Sequence, residues 1–198
     1  MPTADDNAYY IAFGRFIHWY ARVEAETHGV FEWCSDFTRN EARAITGGMR
    51  LADIMSITKR LVIFRKNADA QKEIESLYTQ LATVSQLRDL LIHRGADAIG
   101  DTAYITNVHT ARTKADWEIL DVKISEIKDA ADDCARIWIR IRELIDPDPK
   151  SAYADGDAAK WLAQPWRYKH RQPKFPHRLS GRGSTTRSRK PRDASSRG

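Results

Sequence analysis

Between Pro2 and Pro147 the sequence contains no proline. A proline inside a helix removes a hydrogen bond and clashes with the preceding turn, at a cost of about 3 kcal/mol. Its absence over most of the chain leaves long helices free to form, and the apolar residues follow helical spacing. Phe13, Phe16, Ile17, Tyr20, Val23, Thr27 and Val30 recur three and four apart and make one face of a first helix, which Asp5 or Asp6 can cap. Thr38 or Asn40 caps a second segment, and Gly47-Gly48 interrupts it. It resumes over Met49–Lys66 with Leu51, Ile54, Met55, Thr58, Leu61 and Val62 as its stripe, and Asn67 ends it. Asp69 opens a third helix with Ile74, Leu77, Leu81, Val84 and Leu91 on one face, and Gly95 stands where a C-terminal cap glycine belongs. Ser125 caps a fourth, Glu126–Ile145, whose inward face is Ile127, Ala130, Ala131, Cys134, Ile137, Trp138, Ile141 and Ile145. Between the third and fourth, Thr102–Val108 and Ala115–Val122 are rich in β-branched and aromatic residues and predict a small β-hairpin insertion. The expected fold class is mainly all-α: an antiparallel four-helix bundle over residues 1–146.

Charge divides the chain at the same place. Residues 147–198 hold 13 basic and 4 acidic side chains, net +9, while residues 1–146 are net −4. The DPDP run beginning at Asp146 stops the last helix. Residues 147–198 therefore read as a second region, a basic, aromatic-containing and largely disordered tail. One short helix is possible near Ala152–Leu162. From Ser180 onward the composition is too polar to offset chain entropy. The 198 residues fit one domain with such a tail. Two cysteines, Cys34 and Cys134, exclude a disulfide-rich scaffold and show no zinc spacing. No signal-peptide pattern and no membrane-length apolar run is present, which predicts a cytoplasmic protein that does not engage a membrane.

The end of the third helix carries the most chemistry. It reads Leu87-Arg88-Asp89-Leu90-Leu91-Ile92-His93-Arg94-Gly95. Arg88 falls inside the apolar stripe, where an unpaired charge is costly, so it needs an anion, a carboxylate or an interface. Asp89 and His93 are four apart and share a face with Tyr78, Ala82 and Ser85. A neighbouring carboxylate and the negative end of the helix both favour a charged imidazole, which suits acid–base work. Arg88 and His93 stand roughly 140° apart around the axis. Either the helix loosens by His93, or a second copy completes the site. A structural alternative pairs Arg88 with a carboxylate such as Glu24 and leaves Asp89 and His93 as a solvated pair.

The pattern Arg88, a polar residue, three more positions and His93, at the end of the third helix of a predicted four-helix bundle, resembles the signature of HEPN domains. The resemblance covers roughly residues 6–146. It implies a metal-independent ribonuclease, needing no cofactor, of the kind found in toxin–antitoxin and anti-phage defence systems. It also implies a homodimer whose two motifs meet along the third helix, and a possible cognate antitoxin as partner. Arg88 would stabilise the phosphate and transition state, His93 would act as acid or base, and Asp89 would orient them. The implied reaction is attack of the ribose 2′-OH on the adjacent phosphate of RNA. The alternative is a non-catalytic HEPN-like module that binds nucleic acid or a partner.

In the tail, Trp166, Arg167, Tyr168, Lys169, Arg171 and Lys174 interleave rings with positive charge. Basic groups meet phosphates and rings stack on unpaired bases, so these six residues read as an RNA-binding arm. The same composition also suits a solubilising tail, or a segment that binds the acidic body or an acidic partner.

Overall fold

A computed structural model of the chain describes residues 4–148, 151, 153 and 156–174. Among them are six α-helices: α1 (Ala4–Cys34), α2 (Arg39–Thr46), α3 (Leu51–Arg65), α4 (Ala68–Arg94), α5 (Ile124–Ile145) and α6 (Gly156–Leu162). One antiparallel sheet, β1 (Asp97–Ile99), β2 (Thr102–Thr106) and β3 (Ile119–Lys123), lies between α4 and α5 in sequence and is ordered β1-β2-β3. The protein is thus mainly helical with a small sheet. No described helix is long and apolar enough to cross a membrane.

Local chemistry sets the element ends. Thr38 caps α2 with a full capping box: its hydroxyl accepts from the Glu41 amide, and the Glu41 carboxylate accepts from the Thr38 amide. Asn67 does not end α3, whose C-cap is Lys66. The Asn67 side chain accepts from the Ala70 amide, so it starts α4. The last long helix is capped two residues earlier than Ser125 suggests. Lys123 is the cap residue, and its amide donates to the Glu126 carboxylate at 2.8 Å.

The four long helices share one core. α1 packs on α3 and α5, and α4 packs on the same two. Phe16, Tyr20 and Val23 of α1, Ile74, Leu77 and Leu81 of α4, and Ile127, Cys134 and Ile137 of α5 are all buried in it. The expected stripes are therefore the buried faces. Tyr78 differs: its spacing groups it with the polar residues of α4, yet it is fully buried. With partners on two sides, α4 covers a wider arc than a single stripe.

The expected hairpin is present and is larger than expected. β2 and β3 pair with Ala103 opposite Val122 and Ile105 opposite Leu120, and these four side chains face the core. A third strand, β1, is added through Asp97–Tyr104 pairing. Its three residues are too few to show alternation.

Gly95 ends α4 in a backbone conformation, φ +70° and ψ −177°, that essentially only glycine adopts. A Cβ at this position would meet nothing within 4 Å, so any penalty is backbone strain alone. Gly95→Ala is expected to cost about 1–3 kcal/mol, read as a lower urea midpoint at unchanged slope. An unchanged midpoint would mean that the end of α4 relaxes freely.

Candidate active site

The final turns of α4 expose a cation, an anion and an imidazole within six residues. Arg88 is half-buried, and its guanidinium donates to the Asp89 carboxylate at 2.8 Å. That hydrogen bond is the main reason its pKa rises further, so Arg88 stays charged. Its guanidinium carbon lies 5.3 Å from the ring centre of Tyr20 of α1. The Tyr20 hydroxyl lies 2.9 Å from Ser85 Oγ. Ser85 spends its own proton on the Leu81 carbonyl, so Tyr20 is the donor between them. Burial chiefly raises the Tyr20 pKa and keeps the phenol neutral.

Arg88, Asp89 and His93 line one cleft of about 670 Å³. α1 contributes Tyr20 and Glu24 to it, and the start of α3 contributes Arg50 and Leu51. The structure thus brings all three sequence-identified residues together despite their separation around the helix. Glu24 does not hydrogen-bond Arg88; it acts on it only through its charge, and Asp89 is the bonded partner. Asp89 does not orient His93 either. Among the described residues the His93 imidazole is exposed and has no hydrogen-bond partner.

Tyr20, Glu24 and Arg50 belong to the same constellation, and the sequence does not single them out as site residues. They come from other helices, and only packing puts them beside Arg88. Arg50 is exposed at the start of α3 and adds a second guanidinium. No group of three or more His, Cys, Asp or Glu side chains converges as metal ligands would among the described residues.

A second cleft, of about 490 Å³, adjoins the first on the other side of α4's end. Asp89 and His93 line both. Its far wall is formed by His170, Gln172 and Pro173 of the C-terminal segment.

That segment is laid against the body over residues 164–174. Tyr168 is 3% exposed and joins the main core. The anchor is Asp133 of α5, whose side chain is fully buried. Its carboxylate accepts from the Tyr168 amide at 2.9 Å, the Arg167 amide at 3.1 Å and Gln80 Nε2 at 2.7 Å. It also pairs with the equally buried Arg136. Arg136 in turn donates to the Gln164 carbonyl at 2.6 Å and the Pro165 carbonyl at 3.2 Å. Trp166 lies under the guanidinium carbons of Arg136 and Arg140, each 5.0 Å from its ring centre, and its indole donates to Ser76.

The six residues read as an RNA-binding arm are therefore mostly occupied. Trp166 and Tyr168 pack on the body. Arg167 pairs with Asp132 at 3.4 Å, Arg171 with Glu126 at 2.7 Å and Lys174 with Asp121 at 3.3 Å. Lys169 is exposed. The rings are taken because burying them against α4 and α5 is worth more than leaving them in water. The cations are taken because the body's acidic residues cluster on α5 and β3. Of the reading of the tail as disordered, the part over residues 175–198 lies outside the described residues.

Other histidines have local roles. His28 Nδ1 is 2.9 Å from the Thr46 hydroxyl, which donates to the Ala42 carbonyl. His18 packs edge-on against Trp19, and His109 is exposed beyond β2. Comparisons with models of protein families, with curated proteins and with solved structures give no match to this chain.

Proposed function

We propose that this chain is a metal-independent endoribonuclease of HEPN type, built as an antiparallel four-helix bundle and acting as a toxin or anti-phage effector. The observation that carries the reading is the shared cleft: Arg88, Asp89 and His93 line it together with Arg50 and Glu24. Cleavage by the 2′-OH needs a proton acceptor, a proton donor and positive charge beside the phosphorus. His93 is the imidazole lining this cleft and supplies the acid or base. Arg88 and Arg50 can meet the non-bridging phosphate oxygens, and the Asp89 bond aims the Arg88 guanidinium. The dimer belongs to the same proposal: two copies meeting along α4 would set two such motifs face to face, with a cognate antitoxin covering them.

A second reading follows from one contact. Asp89 is bonded to Arg88 and leaves His93 without an orienting partner. That arrangement also suits a non-catalytic module that binds RNA or a partner protein through the cleft.

The test is incubation of the full chain with labelled single-stranded RNA in excess chelator. Cleavage leaving 2′,3′-cyclic phosphate ends is expected. Binding without cleavage under these conditions would replace the enzyme by the binding module.

A further inference from the structure

The cleft between α4 and the C-terminal segment holds two imidazoles, His93 and His170. Its other charged groups are Asp89, Arg94 and Glu118. Arg94 and Glu118 are bonded to each other at 2.5 Å, and Asp89 is bonded to Arg88. Among the described residues, the two histidines are thus the ionisable side chains of this cleft without an ion-pair partner.

His170 is held from both sides. Two residues before it, Tyr168 is locked into the core by Asp133. Four residues after it, Lys174 exchanges both backbone hydrogen bonds with Ile119, at 2.9 and 2.8 Å. The ring itself is half-buried, and Nδ1 lies 3.2 Å from the Tyr168 hydroxyl. Nε2 is then the nitrogen left for a ligand.

We propose that His170 is a second catalytic residue of this site, paired with His93 across the cleft and acting on the RNA phosphodiester. The proposal rests on the ribonuclease reading above and adds its proton acceptor. In the tautomer this step requires, Nδ1–H donates to the Tyr168 oxygen, and Nε2 takes the proton of the ribose 2′-OH. The 2′-oxygen forms a bond to phosphorus as the bond from phosphorus to the 5′-oxygen breaks. The departing 5′-oxygen receives a proton from the His93 imidazolium. The step ends with His170 charged, His93 neutral and a 2′,3′-cyclic phosphate, and it consumes nothing else. Burial pushes the His170 pKa below the usual histidine value, which keeps the acceptor neutral before the step. An RNA strand crossing the end of α4 would run from the cleft of Arg50 and Arg88 into that of His170, passing His93 between them.

The experiment is NMR of the histidine ring protons of the full chain, assigned with His93→Gln and His170→Gln. The probe is a short 2′-O-methyl oligouridylate, which cannot cyclise. Shifts of both His93 and His170 on addition are expected. A shift of His93 alone would overturn the role of His170 and leave the ribonuclease reading standing. No shift of either would overturn both. His170→Gln is further expected to slow cleavage about 100-fold, the low end of what a positioned acid or base contributes, with the oligouridylate still bound. Wild-type rates in that variant would overturn the proton-transfer role.

Discussion

The His93→Ala chain is expected to cleave RNA roughly 10²–10⁴-fold more slowly than wild type, the range that one positioned acid or base contributes. The fold should be untouched. His93 is exposed, makes no hydrogen bond among the described residues, and sits in the last turn of α4, where Gly95 rather than its own side chain ends the helix. The measurement is the rate of appearance of cyclic-phosphate ends from labelled RNA, both proteins purified identically and held in chelator. Arg88→Lys is the informative companion, because it keeps the charge but loses the planar fork that meets two phosphate oxygens. Equal rates for wild type and His93→Ala would assign the activity to a contaminant or to another residue, and would remove His93 from the mechanism.

The largest stability effect is expected away from the site, at Asp133. Asp133→Ala is expected to cost about 3–5 kcal/mol, because breaking a buried pair strands its partner's charge. The stranded group is Arg136, fully buried with its Nε already unpartnered. The amides of Arg167 and Tyr168 also lose their acceptor, and Gln80 Nε2 loses one of its two, keeping the Tyr168 carbonyl. Urea unfolding of the single variant against a double variant separates the causes. With Arg136→Met added, no charge is left buried, and part of the loss should return. A single variant within about 0.5 kcal/mol of wild type, the usual range for surface changes, would show that the cluster is not what holds residues 164–174.

Much of the helical framework was legible because it depends on spacing alone. The proline-free run, the stripes on α1, α3, α4 and α5, and Gly95 each state a local rule that the core obeys. Tyr78 was misplaced because its position on α4 is read against one neighbour when there are two. The Asp133–Arg136 pair has a signal of its own in the sequence. Asp133 stands three residues after Ala130 and four before Ile137, inside the apolar stripe of α5. That is the same anomaly that drew attention to Arg88 on α4. Over residues 164–174 composition left open an RNA-binding arm, a solubilising tail and a segment that binds the acidic body. The structure shows the last contact. Composition alone does not select it, because the matching acidic groups are not known to lie opposite. Asp121, Glu126 and Asp132 are those groups, and they lie far away in sequence. At the site, Arg88, Asp89 and His93 share one helix and could be found together. Tyr20, Glu24, Arg50 and His170 reach the two clefts from elsewhere in the chain, which no spacing reveals.

The pairing of Lys174 with Ile119 has a consequence for how copies of this chain meet. β3 is an outer strand of the sheet, and an outer strand offers unpaired amides and carbonyls on which another molecule can template. At the start of β3 those groups are already taken, by the same polypeptide returning after α5 and α6. The C-terminal segment is in this sense a guard against strand-to-strand stacking. It closes the start of one margin of the sheet, while β1 forms the other.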